Sequence, residues 1–231
     1  MRLVAAALLL LLTACAQSYP DDRFVALVRA MKPSVVLITM RVPPQDKKQK
    51  PAYDDAYGTG VVVASGAWGS DILTAAHVVA GAWDLHVTIG NRTKVPARVI
   101  ASNDDADVAL LRTSRADLEA VKLGPALDLR DQLGREVGLL GYPVPDEFED
   151  EQLGLATSLG TGRLSALRDD ALEVTVPIVP GESGGPIFLV DTGAIIGLAD
   201  SRFDDEHSIG FAVPLADVLR FLHKTDRAHG F

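Results

Sequence analysis

A chain of 231 residues, 48% of them hydrophobic and 23% charged, holds enough apolar material for one large all-β domain or two small ones. Its net charge of −9 argues against binding to DNA or RNA, which rewards clustered Lys and Arg. The single cysteine excludes an internal disulfide, so stability must come from an apolar core.

In chain order, Arg2 and the apolar run Val4 to Leu12 read as an export signal, too short to span a bilayer comfortably. The signal ends in Leu12-Thr13-Ala14-Cys15, which resembles the lipobox of bacterial lipoproteins. That likeness implies cleavage after residue 14 and a lipid on Cys15; Ala16 and Gln17 then resemble outer-membrane sorting. Residues 15–23 form a tether, and 24–231 the folded domain. Phe24, Val25, Leu27, Val28 and Met31 recur at helical spacing, and Pro33 stops that helix. Strands are predicted at Ser34 to Val42, Gly58 to Ala64, Asp71 to Ala75, Asp84 to Ile89, Lys94 to Ile100 and Ala106 to Arg112. A second set follows at Glu136 to Leu140, Thr157 to Leu167, Leu172 to Val176, Pro186 to Val190, Ala194 to Ala199 and Phe211 to Val213. Pro43 to Tyr57, with its Lys47-Lys48-Gln49-Lys50 run, and the acidic Glu147 to Glu151 read as solvated loops. Leu215 to His223 reads as a closing helix.

Three short blocks carry chemistry: Thr74-Ala75-Ala76-His77-Val78, Asp104-Asp105-Ala106-Asp107-Val108 and Gly181-Glu182-Ser183-Gly184-Gly185-Pro186. A Ser hydroxyl is a weak nucleophile at neutral pH and needs a base to take its proton. His77 is the candidate base, since imidazole titrates near the working pH and can return the proton to the leaving amine. Asp107 is the candidate orienter, holding the ring tautomer and stabilising the imidazolium. The N–H groups of Gly181 and Ser183 are the candidate oxyanion donors, each such donor being worth about 3 kcal/mol in the transition state.

The chain order His, Asp, Ser is that of chymotrypsin-type proteases. The three blocks resemble the trypsin-like serine proteases, in particular their bacterial HtrA/Deg-like branch. Further resemblance lies in Ala30-Met31-Lys32-Pro33-Ser34-Val35-Val36, Gly58-Thr59-Gly60-Val61-Val62-Val63, Leu139-Leu140-Gly141-Tyr142-Pro143 and Ile209-Gly210-Phe211-Ala212-Val213-Pro214, and it covers about Phe24 to Leu222. It implies an all-β fold of two packed Greek-key β-barrels, from about Ser34 to Leu123 and Glu136 to Pro214, with short N- and C-terminal helices and the site in the cleft between barrels. It implies a serine endopeptidase acting on exported polypeptides through an acyl-enzyme, with a role in protein quality control in the cell envelope. It also implies an S1 pocket lined by Ile178, Val179, Pro180, Leu198, Ala199, Asp200 and Ser201. The apolar members favour aliphatic P1 residues, whereas Asp200 would attract a basic one. Location on the periplasmic face of the outer membrane, anchored through Cys15, is the matching expectation.

Two departures stand out. Glu182 occupies the position before the Ser where the HtrA-like branch usually has Asn. That branch also usually carries a C-terminal PDZ domain, and with the sequence stopping at Phe231 regulation through one is not expected. Oligomerisation is left open. No cofactor and no metal are expected: His86, His207, His223 and His229 show no ligand spacing. Taken singly, each block has a plainer reading as a turn or a packed side chain. A catalytically silent peptide-binding module on the same barrels is the main alternative, with Glu182 its support. Gly181-Glu182-Ser183-Gly184-Gly185 also fits the nucleophile elbow of α/β-hydrolases, but too few residues follow Ser183 for the βα units that fold needs.

Overall fold

The computed structural model describes residues 20–44, 53–90, 93–200 and 209–229. The export signal, Cys15, the lysine run, Ser201 and His207 lie outside the described residues. Helix α1 (Pro20–Met31) leads into six strands: β1 (Val35–Val42), β2 (Asp54–Gly66), β3 (Gly69–Thr74), β4 (Trp83–Ile89), β5 (Thr93–Asn103) and β6 (Val108–Thr113). They close in the antiparallel order β1-β2-β3-β6-β5-β4. A long link, 114–135, then reaches six more: β7 (Glu136–Gly141), β8 (Ser158–Leu167), β9 (Leu172–Val174), β10 (Pro186–Leu189), β11 (Ile195–Asp200) and β12 (Gly210–Pro214). These close as β10-β11-β12-β9-β8-β7. The expected pair of barrels is therefore the fold, and the α/β-hydrolase alternative falls with it.

Side chains alternate across each strand, and here both faces find cover. In β1, Val36, Ile38 and Met40 fill the first barrel with Val62, Ile72, Val87 and Leu111. Val35 and Leu37, on the opposite face, join Val61, Leu73 and Leu110 in a separate cluster with Leu140, Tyr142, Phe188, Leu198 and Val213 from the second barrel. That cluster cements the barrels together. It explains why β1 opens on a continuous apolar run, Val35 to Ile38, rather than an alternating one. The second barrel has its own filling of Val137, Leu139, Leu164, Val174, Ile187, Leu189 and Ile196. Helix α4 (Leu215–His229) continues straight from β12 and lays Leu215, Val218 and Phe221 on the shared cluster.

The elements differ from expectation mainly at their ends. Strand β2 begins at Asp54, inside the segment read as loop, because Asp54 to Tyr57 pair with Thr39 to Val42 of β1. His77 sits on a single helical turn, α2 (Ala76–Val79). The acidic loop holds another short helix, α3 (Pro145–Asp150). The closing helix runs on past His223.

Candidate active site

His77 is pinned from beneath. Its neighbours Ala76, Val78 and Val79 are buried, and Val78 sits so close over Gly58 that a Cβ there would lie 2.4 Å from it. Asp107 ends the turn before β6 in the left-handed region, at φ 50°, a conformation that Asp tolerates better than most residues. Ala106 N–H bonds Asn103 Oδ1 at 3.1 Å and holds that turn. The Asp107 carboxylate reaches back to His77 twice. Oδ1 accepts the His77 backbone N–H at 2.9 Å, and Oδ2 lies 2.8 Å from ring Nδ1. Ala75 gives α2 no side-chain cap, so Asp107 satisfies an orphan N–H of that turn while orienting the ring. With Nδ1 committed to Asp107, a proton taken from a nucleophile goes to Nε2. The Asp107 side chain is nearly buried (9% exposed) and that of His77 is open to the cleft (42%).

Ser183 lies on a loop fastened to both barrels. Gly184 N–H donates to Ala199 C=O and Ala199 N–H to Gly185 C=O, each at 2.8 Å, tying the loop to β11. Thr59 N–H, from β2, donates to the Ser183 carbonyl at 2.9 Å. Gly184, at φ 87°, has no room for a side chain: a Cβ would lie 2.3 Å from both Thr59 O and Thr74 Oγ1, and 2.9 Å from Ala75 N. The Ser183 loop thus packs directly on the residues that lead into His77.

The peptide between Pro180 and Gly181 has a fixed orientation. Val144 N–H donates to Pro180 C=O at 2.8 Å. In a planar trans peptide the C=O and the following N–H point opposite ways, so Gly181 N–H is turned away from Val144. Thr59 Oγ1 donates to the Gly181 carbonyl at 2.7 Å and accepts Tyr142 N–H at 3.0 Å. Gly181 itself is at φ 91°, and a Cβ there would lie 2.3 Å from Tyr142 O, so glycine is required. Val144 holds its place at φ 36°, ψ 56°, a costly backbone for a β-branched residue.

Glu182 does not intrude on this arrangement. It is buried, and its Oε2 accepts Val179 N–H at 3.1 Å while its own N–H donates to Val179 C=O at 3.1 Å. Burial pushes its carboxyl above the usual carboxylate range, and the Val179 N–H opposes that rise. The residues expected to line S1 fall in several places. Ile178 and Ala199 pack into the second barrel, and Leu198 into the cluster between barrels. Val179 and Pro180 remain on the loop edge. Asp200, 2% exposed, turns to His77: a ring nitrogen of His77 and carboxylate oxygens of Asp107 and Asp200 all lie within 4.8 Å of one another. Sequence reasoning missed Val144, which carried no signal, and the bridging part of Thr59, whose flanking Gly58 and Gly60 are its only mark.

These geometries have counterparts among known proteins. Residues 58–198, from the start of the His-bearing region to the strand after the Ser, match the family model described as trypsin-like peptidase domain. The chain is 29% identical over 175 residues to a probable periplasmic serine endoprotease DegP-like of Pseudomonas fluorescens, covering 74% of this chain and 35% of that protein. It is 30% identical over 213 residues to Protease Do-like 1, chloroplastic, of Arabidopsis thaliana (84% and 45%), and 31% over 175 residues to Serine protease Do-like HtrA of Bacillus subtilis (70% and 37%). The chain therefore spans less than half the length of each of these relatives. In fold it resembles the HtrA-type protease AlgW with tripeptide (TM-score 0.70, 23% identity, 90% of this chain and 64% of that one). It likewise resembles the active form of the Rv3671c protease from M. tuberculosis (TM-score 0.69, 23% identity, 86% and 83%). With paired barrels, a carboxylate-held imidazole and a matched region spanning the His, Asp and Ser blocks, the chain belongs to the trypsin-like peptidase domain family.

Proposed function

We propose that this chain is a serine endopeptidase that cleaves exported polypeptides by acyl transfer. The observation that carries the reading is the double grip of Asp107 on His77, beside a nucleophile loop packed on Thr74 and Ala75. Ser183 Oγ attacks the scissile carbonyl carbon as its proton passes to His77 Nε2. Asp107 steadies the imidazolium that forms. Charge on the carbonyl oxygen is met by the N–H groups of Gly181 and Ser183, the first kept turned by Val144 and Thr59. The C–N bond breaks, His77 gives its proton to the departing amine, and water then releases the acyl group by the same relay. The endoprotease names of the relatives favour polypeptide substrates. The periplasmic names among them, with the Leu12 to Cys15 resemblance, favour the cell envelope and a lipid anchor.

Labelling with a fluorophosphonate probe tests the reading. The wild-type chain is expected to label at Ser183, and Ser183→Ala to lose both labelling and casein cleavage with its thermal midpoint nearly unchanged. A folded wild-type protein that never labels would support the silent peptide-binding module instead.

A further inference from the structure

Asp200 is a buried acid with no part in the relay just described, although it ends the strand that holds the nucleophile loop. We propose that Asp200 is a positioning residue for the base: set against the His77–Asp107 pair, it makes the imidazole keep its proton to higher pH than one carboxylate alone would. The inference rests on the peptidase reading for its consequence, though not for its test.

Both Asp107 oxygens face nitrogens of His77, Oδ1 the backbone N–H and Oδ2 ring Nδ1, and such contacts favour a carboxylate's ionised form. A second carboxyl group lies within 4.8 Å of it, and both residues are almost wholly shielded from water. Two like charges so placed favour uptake of one more proton by the cluster. The proposal assigns that proton to the ring, which at 42% exposure is the cluster's best-solvated member and sits against both acids. Each time the ring takes it, the imidazole ceases to be a base. Deprotonating the ring leaves two neighbouring carboxylates with less positive charge to face, so the loss is deferred to higher pH.

The surrounding charges do not duplicate Asp200. Asp104 and Asp105, on the turn that carries Asp107, are exposed. Glu182, on the nucleophile loop, is engaged with Val179. Asp71 of β3 and Arg112 of β6 pair with each other through two bonds of 2.6 and 2.8 Å. Arg202, Asp204, Asp205, Glu206 and His207 follow Asp200 in the sequence and lie outside the described residues. They are the same in every protein compared below.

The test is the titration of the His77 ring in the full chain, followed by NMR at Cε1–H and assigned with His77→Gln. Asp200→Asn keeps the volume and removes the charge. Its ring is expected to titrate about one pH unit lower than wild type, and Asp200→Ser, the fallback should the first variant fold poorly, should move the same way. Coincident midpoints, or a higher one in the variants, would overturn the proposal whether or not Ser183 is reactive. If the protein labels, the rate of fluorophosphonate labelling should follow the same midpoint. On the acid side the Asn variant should then label up to about tenfold faster than wild type. A merely structural Asp200 would lower labelling at every pH without moving the midpoint. Absence of labelling in all proteins would count against the peptidase reading alone.

Discussion

Glu182 carries a pH signature of its own within the loop that bears Ser183. Burial raises its carboxyl above the ordinary range, so the folded chain binds that proton more tightly than the unfolded chain. Stability contributed by the neutral form is complete below the unfolded value. It is lost as pH rises through the window up to the raised folded value. Glu182→Gln keeps an oxygen for Val179 N–H and removes the charge. Its melting temperature is expected to match wild type near pH 4 and to exceed it above about pH 5, measured by calorimetry across that range. Wild type melting higher at pH 7 would mean that the Val179 bond to a charged oxygen outweighs desolvation. The sequence marked Glu182 as a departure from the HtrA-like pattern but gave no direction for its side chain. Only the folded loop shows it closing on Val179, three residues back.

At the scale of elements, strand β2 does more than complete a barrel. Through Thr59 it supplies a backbone donor to Ser183 C=O, a hydroxyl to Gly181 C=O and an acceptor to Tyr142 N–H. Thr59→Val is nearly isosteric and keeps the backbone bond, but it strips partners from two groups around a fully buried position. A loss of about 2–4 kcal/mol in unfolding free energy is expected from denaturant titration. Fluorophosphonate labelling should slow by about tenfold or more as the Gly181 peptide loosens. The strands themselves were legible because Val-rich runs between glycines and prolines give clear periodicity and breaks. Their ends were less so. Asp54 to Tyr57 looked like loop, since polar residues pair in a ladder as readily as apolar ones once a partner such as Thr39 to Val42 is present. The His77–Asp107 contact and the loop of Ser183 beside Thr74 and Ala75 join segments that the sequence had singled out by local motifs. The turn to Asp200 was not, because a strand's last side chain can face either way until its register is known, and here Asp200 pairs with Phe211.

For the whole molecule, the division into two barrels with a shared apolar seam puts the His77–Asp107 pair on one body and Ser183 on the other. The net charge of −9 makes adsorption to an anionic lipid surface unfavourable, so envelope attachment depends on the proposed lipid at Cys15. Cys15→Ala is expected to move the protein from the detergent phase to the aqueous phase in a phase-partition assay, and an unchanged partition would remove the anchor. The fastening at Thr59 has a broader bearing. Because a few bonds of one residue span the joint between the His77–Asp107 pair and the Ser183 loop, a slight parting of the halves would silence the proposed activity while each β-cylinder stayed intact. Heat or mild denaturant should therefore extinguish turnover before far-ultraviolet circular dichroism registers any melting.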